Sequence, residues 1–90
     1  MGVLSGKRGL IMGVANERSI AWGIAKACAE AGAELAFTYQ GEAFGQRLAP
    51  LAASVGSDFM VDVDVTNDAS LDAAFAALGA RWDKLDFVVH

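Results

Sequence analysis

Ninety residues, 54% of them apolar and only one a proline, describe a compact domain, because a chain of this length buries roughly 60 to 70% of the surface it exposes when unfolded. Eleven acidic against seven basic residues leave a net charge of −4 with no basic run, which argues against nucleic acid and anionic membrane as partners. The one cysteine, Cys28, excludes a disulfide framework and a zinc site, and no apolar run reaches the ~18 residues of a spanning helix, so the chain reads as cytoplasmic.

Short apolar runs alternate with segments of helical period, the pattern of parallel strands joined by crossover helices. The first strand is predicted over residues 9–13, apolar on both faces and therefore central. A helix follows from about Ile20, with Ile20, Ile24, Ala27, Cys28 and Ala31 three and four apart and Gly32 placed to end it. The second strand covers residues 35–39. The second helix sets Phe44, Leu48, Leu51 and Val55 on one stripe ahead of Gly56, and Pro50 within it predicts a kink near residues 46–49. The third strand alternates Phe59, Val61, Val63 and Val65 with Asp58, Met60, Asp62 and Asp64, one dry face and one wet, as at a sheet edge.

Asn67 or Asp68 can cap the third helix, whose Leu71, Phe75, Leu78 and Trp82 form a core stripe. The fourth strand, residues 85–90, is apolar in the manner of a central strand and needs a further neighbour. No repeat, low-complexity tract or linker divides the chain. The predicted fold class is α/β: a Rossmann-type doubly wound parallel sheet, first half only, with four strands in the order 3-2-1-4 and three helices. Residues 1–90 are read as the amino-terminal half of a dinucleotide-binding domain.

Open parallel sheets bind ligands beyond the carboxyl ends of their strands, where the strand order reverses, here between the first and fourth. The turn leaving the first strand runs from Gly13 to Gly23. Gly13 permits a sharp turn, and Ser19 and Ile20 stand at the helix start, where unpaired N–H groups and the positive dipole end attract a diphosphate. Whether the Ser19 hydroxyl caps the helix is left open by the sequence, and Ala21 and Gly23 are small where the helix approaches the first strand. Asn16, Glu17 and Arg18 lengthen the loop as solvated turn residues, with a phosphate contact open for Arg18.

Gln40 ends the second strand, about 20 residues past this turn, where an acid commonly holds a ribose 2′-hydroxyl or an arginine a 2′-phosphate. Tyr39-Gln40-Gly41 offers neither, so NAD is favoured over NADP. Asp64 and Val65 end the third strand, where a carboxylate can accept an adenine amino group and a backbone N–H can reach a ring nitrogen; Asp64 also suits a turn or cap. Tyr39, Cys28 and His90 read as structural. Three other readings stay open on these residues: a binding module without catalysis, a methyl-transferring fold with the same glycine turn, and a sheet that acts through its fourth-strand edge.

The stretches 5–16, 19–25 and 37–40 closely resemble bacterial NADH-dependent enoyl-acyl-carrier-protein reductase, a divergent branch of the short-chain dehydrogenases and reductases. Asp64-Val65 and residues 85–90 match it too, so the resemblance spans essentially the whole chain. Its G-x-x-x-x-x-S-x-A turn, here Gly13 to Ala21, differs from the T-G-x-x-x-G-x-G of ordinary family members. The resemblance implies hydride transfer from NADH to the trans-2 double bond of an enoyl thioester on acyl carrier protein, in fatty-acid elongation, by a homotetramer. It assigns cofactor contacts to Gly13, Ala15, Ser19, Ile20, Gln40, Asp64 and Val65, and no metal. The family's catalytic tyrosine and lysine, substrate-binding helices and tetramer surfaces come after the fourth strand, so these ninety residues are expected to hold the cofactor without catalysis.

Overall fold

The computed structural model describes residues 2–14 and 18–89. In chain order it has β1 (Arg8–Ile11), α1 (Ile20–Glu30), β2 (Glu34–Tyr39), α2 (Glu42–Ser54), β3 (Met60–Asp62), α3 (Asp68–Arg81) and β4 (Phe87–Val89). The strands form one sheet in the order β3-β2-β1-β4, and each neighbouring pair is parallel. Fold class, strand order and helix number agree with the sequence reading.

Period-two alternation on the two inner strands feeds two cores. Ile11, Leu35 and Phe37 face one side, where Trp22 and Ala25 of α1 and Leu48 and Ala52 of α2 cover them. Leu10, Met12 and Ala36 face the other, under Leu78, Trp82 and Phe59. Leu10, Ile11 and Phe37 are essentially inaccessible to water, as strands buried on both faces require. Trp22 lies tilted 6.3 Å from Phe37, and Trp82 meets Phe59 edge-on at 5.2 Å. These aromatic pairs tie the helices on each face to the sheet beneath.

The expected stripe of α1 is rotated, whereas those of α2 and α3 hold except at Phe44 and Phe75. On α1 the buried face is Trp22 and Ala25 with Ala21, Cys28 and Ala29 packed beside it, whereas Ile20 is 84% exposed and Ile24 and Ala27 also face water. Apolar residues cover most of α1's circumference, so period alone does not orient it; the large Trp22 ring against Phe37 does. On α2, Gly45, Leu48 and Ala52 are buried and Phe44 is 44% exposed. On α3, Ala74 and Leu78 are buried and Phe75 is 47% exposed. The helical span of α2 runs unbroken through the exposed Pro50.

Asn67 settles the choice of cap: its side-chain oxygen accepts from the N–H groups of Ala69 and Ser70 at 2.9 and 3.2 Å. β3 is the edge its charge pattern predicted. β4 pairs only with β1 among the described residues and Val88 is exposed, in agreement with the order 3-2-1-4 and with a fourth strand that needs a further neighbour. At the amino ends of the strands Arg8 binds Glu34 at 3.1 Å and Asp83 at 2.7 Å, while Arg81 pairs with Asp58. Among the described residues no helix is long and apolar enough to cross a membrane.

Candidate functional site

Because neighbouring strands are parallel, their carboxyl ends open on one edge of the sheet, and a cleft of about 190 Å³ lies there. Met12, Gly13 and Val14 leave β1 to form one wall, and Thr38, Tyr39 and Gln40 close β2 to form the next. Val63 and Val65 come from beyond β3, and Phe44 reaches in from the first turn of α2. The lining is mostly apolar, with polar groups on Thr38, Tyr39 and Gln40. Gly13 has a φ of 83°, a left-handed conformation that leaves the strand sharply and that side chains rarely tolerate.

Two glycines shape the α2 wall. Gly41 precedes α2 with a φ of 90°, and its N–H donates to Oδ1 of Asp62 at 3.1 Å, so the edge strand holds the corner that follows Gln40. A methyl group at Gly45 would stand 2.7 Å from the Tyr39 ring, so only glycine lets α2 approach the end of β2 this closely.

Asp64 lies beside the cleft in a tight turn, where its Oδ1 accepts from the N–H and the hydroxyl of Thr66 at 3.0 and 2.6 Å. The Thr66 hydroxyl, then its amide, hold the Asp64 carboxyl below the usual aspartate range, so it is anionic at neutral pH. Its backbone is pinned as well: the Asp64 N–H donates to Ser70 Oγ at 2.9 Å, and its carbonyl accepts from Asn67 N–H at 3.0 Å. The turn-forming role foreseen for Asp64 is thus filled.

At the start of α1 Ser19 is the N-cap, in extended backbone, and its carbonyl accepts from Trp22 and Gly23 N–H at 3.1 and 3.3 Å. Its side chain makes no capping hydrogen bond to the first turn. Among the described residues that turn carries no acid, whereas α2 has Glu42 and α3 has Asp68. The positive end of the α1 dipole is therefore left uncompensated by its own turn. Ala21 packs against the Ile11 core, but Gly23 is exposed, and a methyl group there would meet no described atom within 4 Å, which corrects its reading as a close-approach residue.

The site residues expected from sequence therefore fall into three groups. Gly13, Gln40 and Val65 share the cleft. Ser19, Ile20 and Asp64 do not line it: the first two open α1, and Asp64 forms the turn ahead of α3. Ala15, with Asn16, Glu17 and His90, lies outside the described residues. Sequence reasoning missed Thr38, Phe44 and Asp62. Phe44 was masked by its place on an apolar stripe, and Asp62 becomes visible only once β3 is set in register opposite Tyr39.

A wider, more polar cleft of about 430 Å³ lies at the amino ends of the strands, between Arg8, Glu34, Ser57, Asp58, Arg81 and Trp82. Its arginines are already matched by Glu34, Asp83 and Asp58, and open parallel sheets take their ligands at the opposite end. The smaller, apolar cleft is the better candidate.

A family model described as enoyl-(acyl carrier protein) reductase matches residues 13–90. The chain is 65% identical over 89 residues to enoyl-(acyl-carrier-protein) reductase (NADH) 2 of Rhizobium meliloti, covering 99% of this chain and 33% of that protein. Identity to the Escherichia coli enoyl-(acyl-carrier-protein) reductase (NADH) FabI is 53% over 90 residues, covering all of this chain and 34% of that protein. Among solved structures, FabI from Candidatus Liberibacter asiaticus superposes with a TM-score of 0.98 at 59% identity, over 100% of this chain and 35% of that one. The Anaplasma phagocytophilum reductase, crystallised in complex with NAD, gives 0.95 at 49% identity, over 99% of this chain and 34% of that one. The chain thus spans about a third of the length of the curated relatives it matches.

Proposed function

Since the chain belongs to the enoyl-(acyl carrier protein) reductase family, we propose that it is the NADH-binding portion of such a reductase, the amino-terminal half of its dinucleotide-binding domain. The observation that carries this reading is the meeting of Gly13, Gln40 and Val65 in one apolar cleft at the carboxyl ends of the strands. At about 190 Å³ the cleft falls below the roughly 300 to 1,000 Å³ of pockets for drug-sized ligands, which suits one flat ring system with the rest of the ligand running out along the sheet edge.

In this reading Phe44 and Val65 flank the adenine, and Asp64, in the turn beside the cleft, accepts its amino group through the carboxylate oxygen that Thr66 does not engage. Gln40 serves the ribose, and with no cation in Tyr39-Gln40-Gly41 the ligand is NAD(H). Ala15, Ser19 and Ile20 hold the diphosphate at the start of α1, whose dipole favours negative charge and whose first turn, among the described residues, carries no acid. NADH supplies the hydride; the described residues bind and orient it. The whole reductase, by the same reading, is a cytoplasmic homotetramer that reduces the trans-2 double bond of an enoyl thioester carried on acyl carrier protein.

Calorimetry tests the assignment of halves. ADP-ribose should bind this chain and account for most of the affinity for NADH, while nicotinamide mononucleotide should give little heat. No heat with millimolar ADP-ribose would remove the reading.

A further inference from the structure

Resting on the reading of the cleft as an adenosine site, we infer that Asp62 is a specificity-determining residue that selects NADH against NADPH. Gly41 opens the 13-residue helix α2 directly after Gln40, so its N–H is the kind of donor a ribose 2′-phosphate would seek at a helix start. That donor is taken. Asp62, in register with Tyr39 on the neighbouring strand, reaches across from β3, and its Oδ1 accepts from Gly41 at 3.1 Å.

The carboxylate does two things at once. It occupies the amide a phosphate would use, and it sets a negative charge beside the ribose position marked by Gln40. Glu42, in the first turn of α2, adds a second acid to the same corner. The guanidinium of Arg47 lies 5.8 Å from the centre of the Phe44 ring, on the adenine side of the cleft in this reading. A neutral 2′-hydroxyl meets no charge penalty here, whereas a phosphate bearing close to two negative charges does. Asp62 is exposed, so water screens the repulsion, which should amount to roughly five- to thirtyfold in relative affinity.

The test measures affinities of the unmodified chain, Asp62→Asn and Asp62→Ala for NADH and NADPH by calorimetry, at low and high salt. Asparagine keeps an acceptor for the Gly41 N–H and drops the charge. The ratio of NADPH to NADH affinity should rise roughly five- to thirtyfold in Asp62→Asn and at least as far in Asp62→Ala, and the rise should shrink in high salt. An unchanged ratio with NADH still bound would overturn the inference and leave the cleft reading intact. An equal loss of both cofactors in Asp62→Asn would mark Asp62 as a structural clamp and overturn it too. Failure of the unmodified chain to bind NADH would instead remove the cleft reading, and this inference with it.

Discussion

Exchanging glycine for alanine should have opposite signs at Gly13 and Gly23, although the added methyl group meets no described atom within 4 Å at either. At Gly13 the φ of 83° belongs to the left-handed region, which costs an ordinary residue roughly 1 to 2 kcal/mol. Gly23 stands on the exposed face of α1, where alanine gains roughly 0.5 to 1 kcal/mol over glycine through a smaller entropy loss on folding. The two variants should therefore differ by roughly 1.5 to 3 kcal/mol. For a domain of this size ~1 kcal/mol moves Tm by about 4 to 8 °C, so thermal melts should separate them by at least about 6 °C, with Gly23→Ala above the parent and Gly13→Ala below. Urea unfolding with an unchanged slope would locate the effect in stability and not in a changed unfolded state. NADH binding should weaken only in Gly13→Ala, where relief of strain moves the cleft wall. A Gly13→Ala protein as stable as the parent would mean that the turn does not need glycine, and a destabilised Gly23→Ala would reveal a close contact not made among the described residues.

Asn67→Ala removes the acceptor for two N–H groups of α3 and should cost about 1 kcal/mol by urea denaturation. Phe37→Ala empties the centre of the larger core and should cost roughly 3 to 5 kcal/mol, with a change in tryptophan fluorescence because Trp22 loses its ring neighbour. Hydrogen bonding and charge from Arg81 lower the Asp58 pKa, and the Arg8 amide lowers that of Asp86. Carboxyls held low in the folded state release protons that the unfolded chain keeps, so their stabilisation is present above roughly pH 3.9 and fades as pH falls through the folded values. The urea midpoint should accordingly drop between about pH 6 and about pH 3, and a midpoint that held or rose would contradict these pairings. Gln40→Arg should raise affinity for NADPH relative to NADH; an unchanged ratio would mean that the end of β2 does not face the ribose.

Much of this architecture was legible in the residues. The alternation of Asp58, Met60, Asp62 and Asp64 with valines and Phe59 marked β3 as an edge, and right-handed crossovers then fixed the order around β1. Gly13 was legible because few residues other than glycine leave a strand at positive φ. Helix faces were less so. α1 is apolar nearly all round, and only the packing of Trp22 on Phe37 turns Ile20 and Ile24 to water. Phe44 satisfied a core stripe while standing at the open end of the sheet, where a helix's first turn meets a cleft and not a strand. Asp62 was hidden for a different reason: its partner, Gly41, is distant in sequence and becomes adjacent only through strand register.

Backbone amide NMR during an NADH titration tests the central claim most directly. Shifts concentrated at Gly13, Val14, Gln40 and Val65, with little change at Arg8, Ser57 and Arg81, are what the account predicts. Shifts gathered at the amino-terminal cleft, or none at saturating NADH, would contradict it.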